Sequence, residues 1–137
     1  MHHPWRALRG LPGVTVIWRK LPVDVYAMTN GTDRIWIDPR QSQAERRCTI
    51  AHELAHIELG HRQGCSDHDE LAASLLAARR LITVQALADA LVWSHDLDMV
   101  ADDLWVDRDT LDVRIKHLHP SEVHHIRQRL AAREDGA

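Results

Sequence analysis

The chain has 137 residues and a formal net charge of −3, with 45% of its residues hydrophobic and 27% charged. That is enough for one unit with a real core and short for two, and the charge gives no global attraction to nucleic acid or an acidic membrane surface. The opening MHHPWRALRG lacks the apolar run of a signal peptide, and no stretch of about 18 apolar residues is available to cross a bilayer, so a soluble cytoplasmic protein is expected.

From Val14 to Asp38 the runs VTVIW, VDVYAM and RIWID are divided by Pro12-Gly13, Leu21-Pro22 and Asn30-Gly31. They predict three strands, the last two forming a hairpin at Asn30-Gly31, with Tyr26 packing on the sheet as a hairpin residue. Pro39 ends the sheet. Ser42 with Glu45 three residues later has the form of a capping box, opening a helix that a glycine stop at Gly60 would close. HRQGCSDH (61–68) reads as a loop. A second helix is expected from Asp69 to Leu81, with Asp67 and Asp69 as its caps. Helices over Val84–Trp93, Leu97–Trp105 and Thr110–Leu118 follow, then a last one opened by Pro120 and Ser121 whose tail AAREDGA is expected to fray.

The plan is α+β: a small antiparallel or mixed three-stranded sheet followed by a helical bundle. One domain over residues 1–137 is expected, with the sheet and first two helices within about 14–82 and a helical subregion within about 83–131. The five tryptophans, in a chain without phenylalanine, are expected in the core. Cys48 and Cys65 are too few for a disulfide framework; both are expected as thiols, Cys48 packed on its helix.

The first helix carries TIAHELAHIELGH (49–61), in which His52, Glu53 and His56 make HExxH. Residues four apart on a helix project one above the other, so both imidazoles can reach one ion while Glu53, about 100° round the helix from His52, stands beside it. A zinc ion there lowers the pKa of a water to about 7, and the glutamate can take its proton during attack on a carbonyl. Ile50, Ala51, Leu54, Ala55 and Ile57 mark the helix as buried, and histidines near a core need partners. A third ligand is expected from the next helix. Glu70 opens it, and Ala73 and Ala77 on its face would let it approach Ala51 and Ala55 closely; His61, Asp67, His68 and Asp69 are the rivals, with Cys65 a weaker one. The pattern HExxHxxGxxH would need Gly at 59 and His at 62, where Leu59 and Arg62 stand, so His61 is read as a helix-terminal residue suited to the dipole.

These residues resemble the ImmA/IrrE family of small zinc metallopeptidases, which cleave helix-turn-helix repressors in phages, mobile elements and stress responses. RIWIDP with AERRCTIAHELAHIELGH is similar to the family's last strand and active-site helix, including Arg46-Arg47, and ELAASLLAARRLI to its glutamate helix. The resemblance implies a gluzincin-like enzyme: His52, His56 and Glu70 holding one zinc (manganese or another divalent ion being compatible with such ligands), Glu53 as general base and then acid, and a protein substrate of the repressor type. Ser74 stands where the family often has Asn or Asp, Leu76 for an aromatic and Thr83 for proline; Ser74, one turn after Glu70, is a candidate outer partner of a ligand. Ser74 and Tyr26 are also the candidate donors toward an oxyanion. The strand at Arg34 to Asp38 is expected to receive an extended substrate by edge pairing.

A rival reading comes from ADDLWVDRDTLDVRIKHL (101–118), which has the shape of a helix-turn-helix with Leu104, Val106, Leu111, Ile115 and Leu118 inside. Seven aspartates and one arginine between Asp96 and Asp112 would repel a phosphate backbone. Specific DNA binding is therefore the lesser alternative, alongside a non-catalytic module that binds a regulator without cutting it.

Overall fold

The computed structural model describes residues 3–61 and 66–136. A short helix α1 (Pro4–Arg9) precedes three strands, β1 (Thr15–Trp18), β2 (Ala27–Thr29) and β3 (Arg34–Ile37). Six helices follow: α2 (Gln43–Glu58), α3 (Asp67–Leu81), α4 (Val84–Trp93), α5 (Leu97–Asp103), α6 (Arg108–Lys116) and α7 (Pro120–Gly136). The α+β plan is borne out. Helix α1 was not anticipated: at 6 residues it is too short to show a helical period, and its one local signal is the proline at its start.

The sheet is mixed, in the order β1-β3-β2. β2 and β3 form the expected antiparallel hairpin, while β1 runs parallel to β3, Thr15 opposite Arg34. In the hairpin turn, Asn30 Oδ1 accepts from the amides of Thr32, Asp33 and Arg34, and Gly31 takes φ 76°, where a side chain is disfavoured. This order corrects one expectation. β3 is the central strand, with both hydrogen-bonding edges taken by β1 and β2, so it cannot pair with an extended substrate.

Helix α2 sits between two apolar clusters. Ile50 and Leu54 pack with Ile35, Ile37 and Leu8 on the sheet side, and Cys48 and Ala51 join Ala77, Leu81, Leu87, Val100 and Leu111 on the helical side. Its start is the expected capping box: Ser42 Oγ accepts from the Glu45 amide and the Glu45 carboxylate from the Ser42 amide. Ala51, Ala55, Ala73 and Ala77 are all buried where α2 packs on α3, the close approach read from the small residues. The cap of α3 is Ser66, whose Oγ accepts from the Asp69 amide, not Asp67 or Asp69, so α3 begins two residues earlier than expected. α5 comes out two residues shorter than expected, α6 has the expected length but begins and ends two residues earlier, and α7 continues through its tail to Gly136. Cys48 is buried as expected; Cys65 lies outside the described residues.

The tryptophans depart from the core assignment. Trp93 is 78% exposed and Trp105 65%, Trp18 and Trp5 are also exposed, and Trp36 is half-buried. Three of the exposed indoles have a ring or cation against one face: Trp5 stacks on Trp18, the Arg46 guanidinium lies over Trp18, and that of Arg133 over Trp93. Trp105 has φ 58° at the α5–α6 corner, a strained position for a bulky residue. The buried Arg47 side chain holds that corner by donating to the carbonyls of Leu104 and Trp105. No single helix among the described residues is long and apolar enough to cross a membrane.

Candidate metal centre

One turn of α2 and the first turn of α3 bring three side chains to a point. His52 and His56, four apart, project from the same side of α2, and Glu70 reaches across from α3, anchored by the alanine contact beneath it. The two imidazole Nε2 atoms are 3.0 Å apart. Glu70 Oε1 lies 2.9 Å from His56 Nε2 and Oε2 lies 3.1 Å from His52 Nε2. Ligand atoms from all three fall within 4.8 Å of one another.

Proton counting tests whether this set fits a metal. Two neutral rings with hydrogen on Nε2 could each donate to one Glu70 oxygen, but that turns two N–H groups into the same 3.0 Å gap between the rings. A cation at the common point takes both nitrogens and the carboxylate at once. Four ligands at about 2.0–2.1 Å from a tetrahedral zinc stand about 3.3 Å apart, close to the separations seen. The donor set fits a divalent ion. Its softness does not choose among zinc, manganese, iron and cobalt.

The two converging imidazoles have partners at their other ring nitrogens. Ser74 Oγ lies 3.3 Å from His52 Nδ1, so the candidate partner one turn after Glu70 does reach a ligand-type histidine in spite of its short side chain. His56 Nδ1 lies 3.0 Å from His61 Nδ1. Of the rival third ligands, His61 therefore meets the back of a histidine rather than the convergence point, and Asp69 pairs with His61. Neither Asp67 nor His68 is in the cluster.

Glu53 is buried beside this point with no hydrogen-bond partner among the described residues. Burial pushes its carboxyl up to about 8, and the charge of Glu70 adds to the rise. Burial also lowers His56 below the ordinary imidazole value, helped by His52 and opposed by Glu70, which favours the neutral ring that a metal needs.

A cleft of about 410 Å³ opens over these groups, with His52, Glu53, Glu70 and Ser74 in its lining. Tyr26 and Ala27 form one wall, and Tyr26 is half-exposed there rather than packed on the sheet. The opposite wall was not anticipated: Asp107, Asp109, Thr110 and Val113, from the segment read as a helix-turn-helix. Its internal positions Leu104, Val106 and Leu111 are buried as expected, but α6 packs on α3 and turns its acidic start to the cleft. Local sequence carried no sign of this, because α3 ends at Leu81 and α6 begins only at Arg108. His61 is different. Gly60 takes φ 76°, the Gly60 amide donates to Ile57 O and the His61 amide to His56 O, and this helix-ending motif sets its last residue over the one five earlier. A rule available from the sequence would have paired His61 with His56.

The model of the family described as Peptidase_M78, IrrE N-terminal-like domain, matches residues 12–116. No curated protein and no solved structure matches the chain.

Proposed function

Since the chain belongs to the IrrE N-terminal-like family of metallopeptidases, we propose that it is a zinc-dependent endopeptidase cutting a helix-turn-helix repressor, with His52, His56 and Glu70 holding the ion and Glu53 as general base and acid. The carrying observation is the convergence of those three side chains beside the buried Glu53 carboxyl. We take residues 1–137 as one metallopeptidase domain.

When bound, the ion supplies Lewis acidity, polarising the scissile carbonyl and acidifying a water. Glu53 then has two tasks, set by its place one residue after His52: it takes a proton from the attacking water and returns it to the leaving amine. Burial and Glu70 raise its carboxyl, and the positive charge of a bound ion beside it would oppose that rise and favour the carboxylate that accepts the proton. His52 is held by Ser74, and His56 by the helix C-terminus, so the two rings face one point. Tyr26, on the cleft wall, is the candidate donor toward the developing oxyanion.

The lining also bears on the substrate. Asp24, Asp107 and Asp109 line the cleft together with Glu53 and Glu70, and among the described residues no lysine or arginine does. A cationic stretch of the substrate is favoured beside the bond to be cut, because like charges juxtaposed in such a cleft are costly.

The test is incubation of the zinc-loaded chain with a repressor encoded beside it, followed by mass spectrometry. Cleavage at one bond is expected, slowed about 10²–10⁴-fold in Glu53→Gln, which should still bind zinc. A Glu53→Gln chain that cuts at the wild-type rate would overturn the assignment. Repressor that binds but stays intact with both chains would favour the non-catalytic module.

A further inference from the structure

His56 offers one ring nitrogen to the convergence point, and the structure gives its other nitrogen an unusual neighbour. Nδ1 lies 3.0 Å from His61 Nδ1, and His61 Nε2 lies 3.4 Å from Asp69 Oδ1. Both rings are largely buried, with side-chain exposures of 5% for His56 and 13% for His61. Asp69 is the residue before Glu70, so a single turn of α3 brackets the two histidines from both ends.

Two Nδ1 atoms at that distance share one proton, and the chemistry decides whose it is. A ring that gives its Nε2 lone pair to a metal carries its hydrogen on Nδ1. His56 Nδ1–H must then donate to His61, whose Nδ1 accepts and whose own hydrogen sits on Nε2, directed at Asp69. The chain Asp69, His61, His56 thus fixes the tautomer of both rings. The backbone builds it: the left-handed turn at Gly60 ends α2 with the His61 amide bonded to His56 O, folding residue 61 back onto residue 56. That contact is ordinarily apolar, and here two imidazoles fill it.

We propose that His61 and Asp69 are positioning residues for His56, holding it in the tautomer that presents Nε2 to the ion. This rests on His56 being a ligand, and the experiment separates the two claims. Zinc affinity of the full chain is measured by competition with a chromophoric chelator, and imidazole tautomers of the metal-free protein by ¹⁵N NMR. His61→Ala should bind zinc about 10–100-fold more weakly, the usual effect of removing an outer partner of a metal ligand. His61→Asn, whose side-chain oxygen can accept in place of Nδ1, should recover most of the loss. Asp69→Asn, which leaves the Ser66 cap intact, should weaken binding less than His61→Ala. In the wild type the NMR signals should show His56 protonated on Nδ1 and His61 on Nε2. Wild-type affinity in His61→Ala, failure of His61→Asn to recover any of the loss, or the opposite tautomers would overturn the proposal while leaving the ligand assignment in place. A wild-type chain that binds no zinc would overturn both.

Discussion

Two polar clusters lie on α3, and they are solved in opposite ways. Near its start, Glu70 joins His52, His56 and Glu53, a set rich in lone pairs and poor in protons. Near its end, Arg79 and Arg114 meet Glu122, whose carboxylate takes Arg114 Nη2 at 2.5 Å, Arg79 Nη1 at 3.0 Å and the His119 amide at 3.0 Å. Arg114 also donates through Nε to Ile82 O, just past the end of α3. The second cluster is complete, with donors matched to acceptors and buried charge matched to charge. The first instead turns two imidazole nitrogens and a carboxylate toward one point, where a cation could take all three. A buried polar cluster that closes on itself fastens elements together, whereas one whose acceptors face each other is built for something else.

The sharpest way to break the contrast is to unbalance the complete cluster. Glu122→Ala strands the Arg114 guanidinium, 2% exposed, and should cost about 3–5 kcal/mol of folding stability in urea melts, the same with or without zinc. The hydrogen bonds from Arg114, with those from His119 and Arg79, lower the Glu122 carboxyl from 4.5 to about 2. A group whose pKa is depressed on folding stabilises above its unfolded value, so this contribution is whole above about pH 4.5 and lost as pH falls toward 2. The stability difference between wild type and Glu122→Gln, followed by chelator-treated melts across that range, should shrink as pH drops.

The incomplete cluster should respond in the reverse sense. Glu70→Ala is expected to lower zinc affinity more than about 100-fold, beyond the loss of an outer partner, while leaving the metal-free melt unchanged or slightly higher because repulsion with Glu53 is relieved. Elemental analysis after dialysis and a metal-free urea melt check the two halves. A large loss of metal-free stability would mean that this cluster, too, fastens the fold. The smallest effect is expected from Ser74→Ala, about 10-fold on zinc affinity at most, since Ser74 Oγ stands 3.3 Å from His52 Nδ1. Chelator competition reads it.

Much of the centre was legible in sequence because its parts are local. HExxH sets two histidines one turn apart on any helix, Ser42 with Glu45 fixes where that helix begins, and Gly60 where it stops. Ala73 and Ala77 gave the face on which Glu70 would come near. Asn30-Gly31 gave the hairpin, and α4 fell over Val84–Trp93 as its pattern required. All of these are readings of period, cap and turn, where neighbours within a few residues carry the information.

What the tertiary structure decided are meetings between faces distant in the chain. The parallel pairing of β1 with β3 made β3 a central strand and closed the edge expected to take substrate. The packing of α6 on α3 set the middle of the segment with a helix-turn-helix shape along the cleft as an acidic wall. The exposure of Trp93 and Trp105 follows from where their elements end on the surface, which no count of tryptophans predicts. A period shows which side of an element is apolar, and a cap shows where it ends. Which two sides meet is settled by burying the most apolar surface with every polar group paired, and that balance belongs to the whole chain.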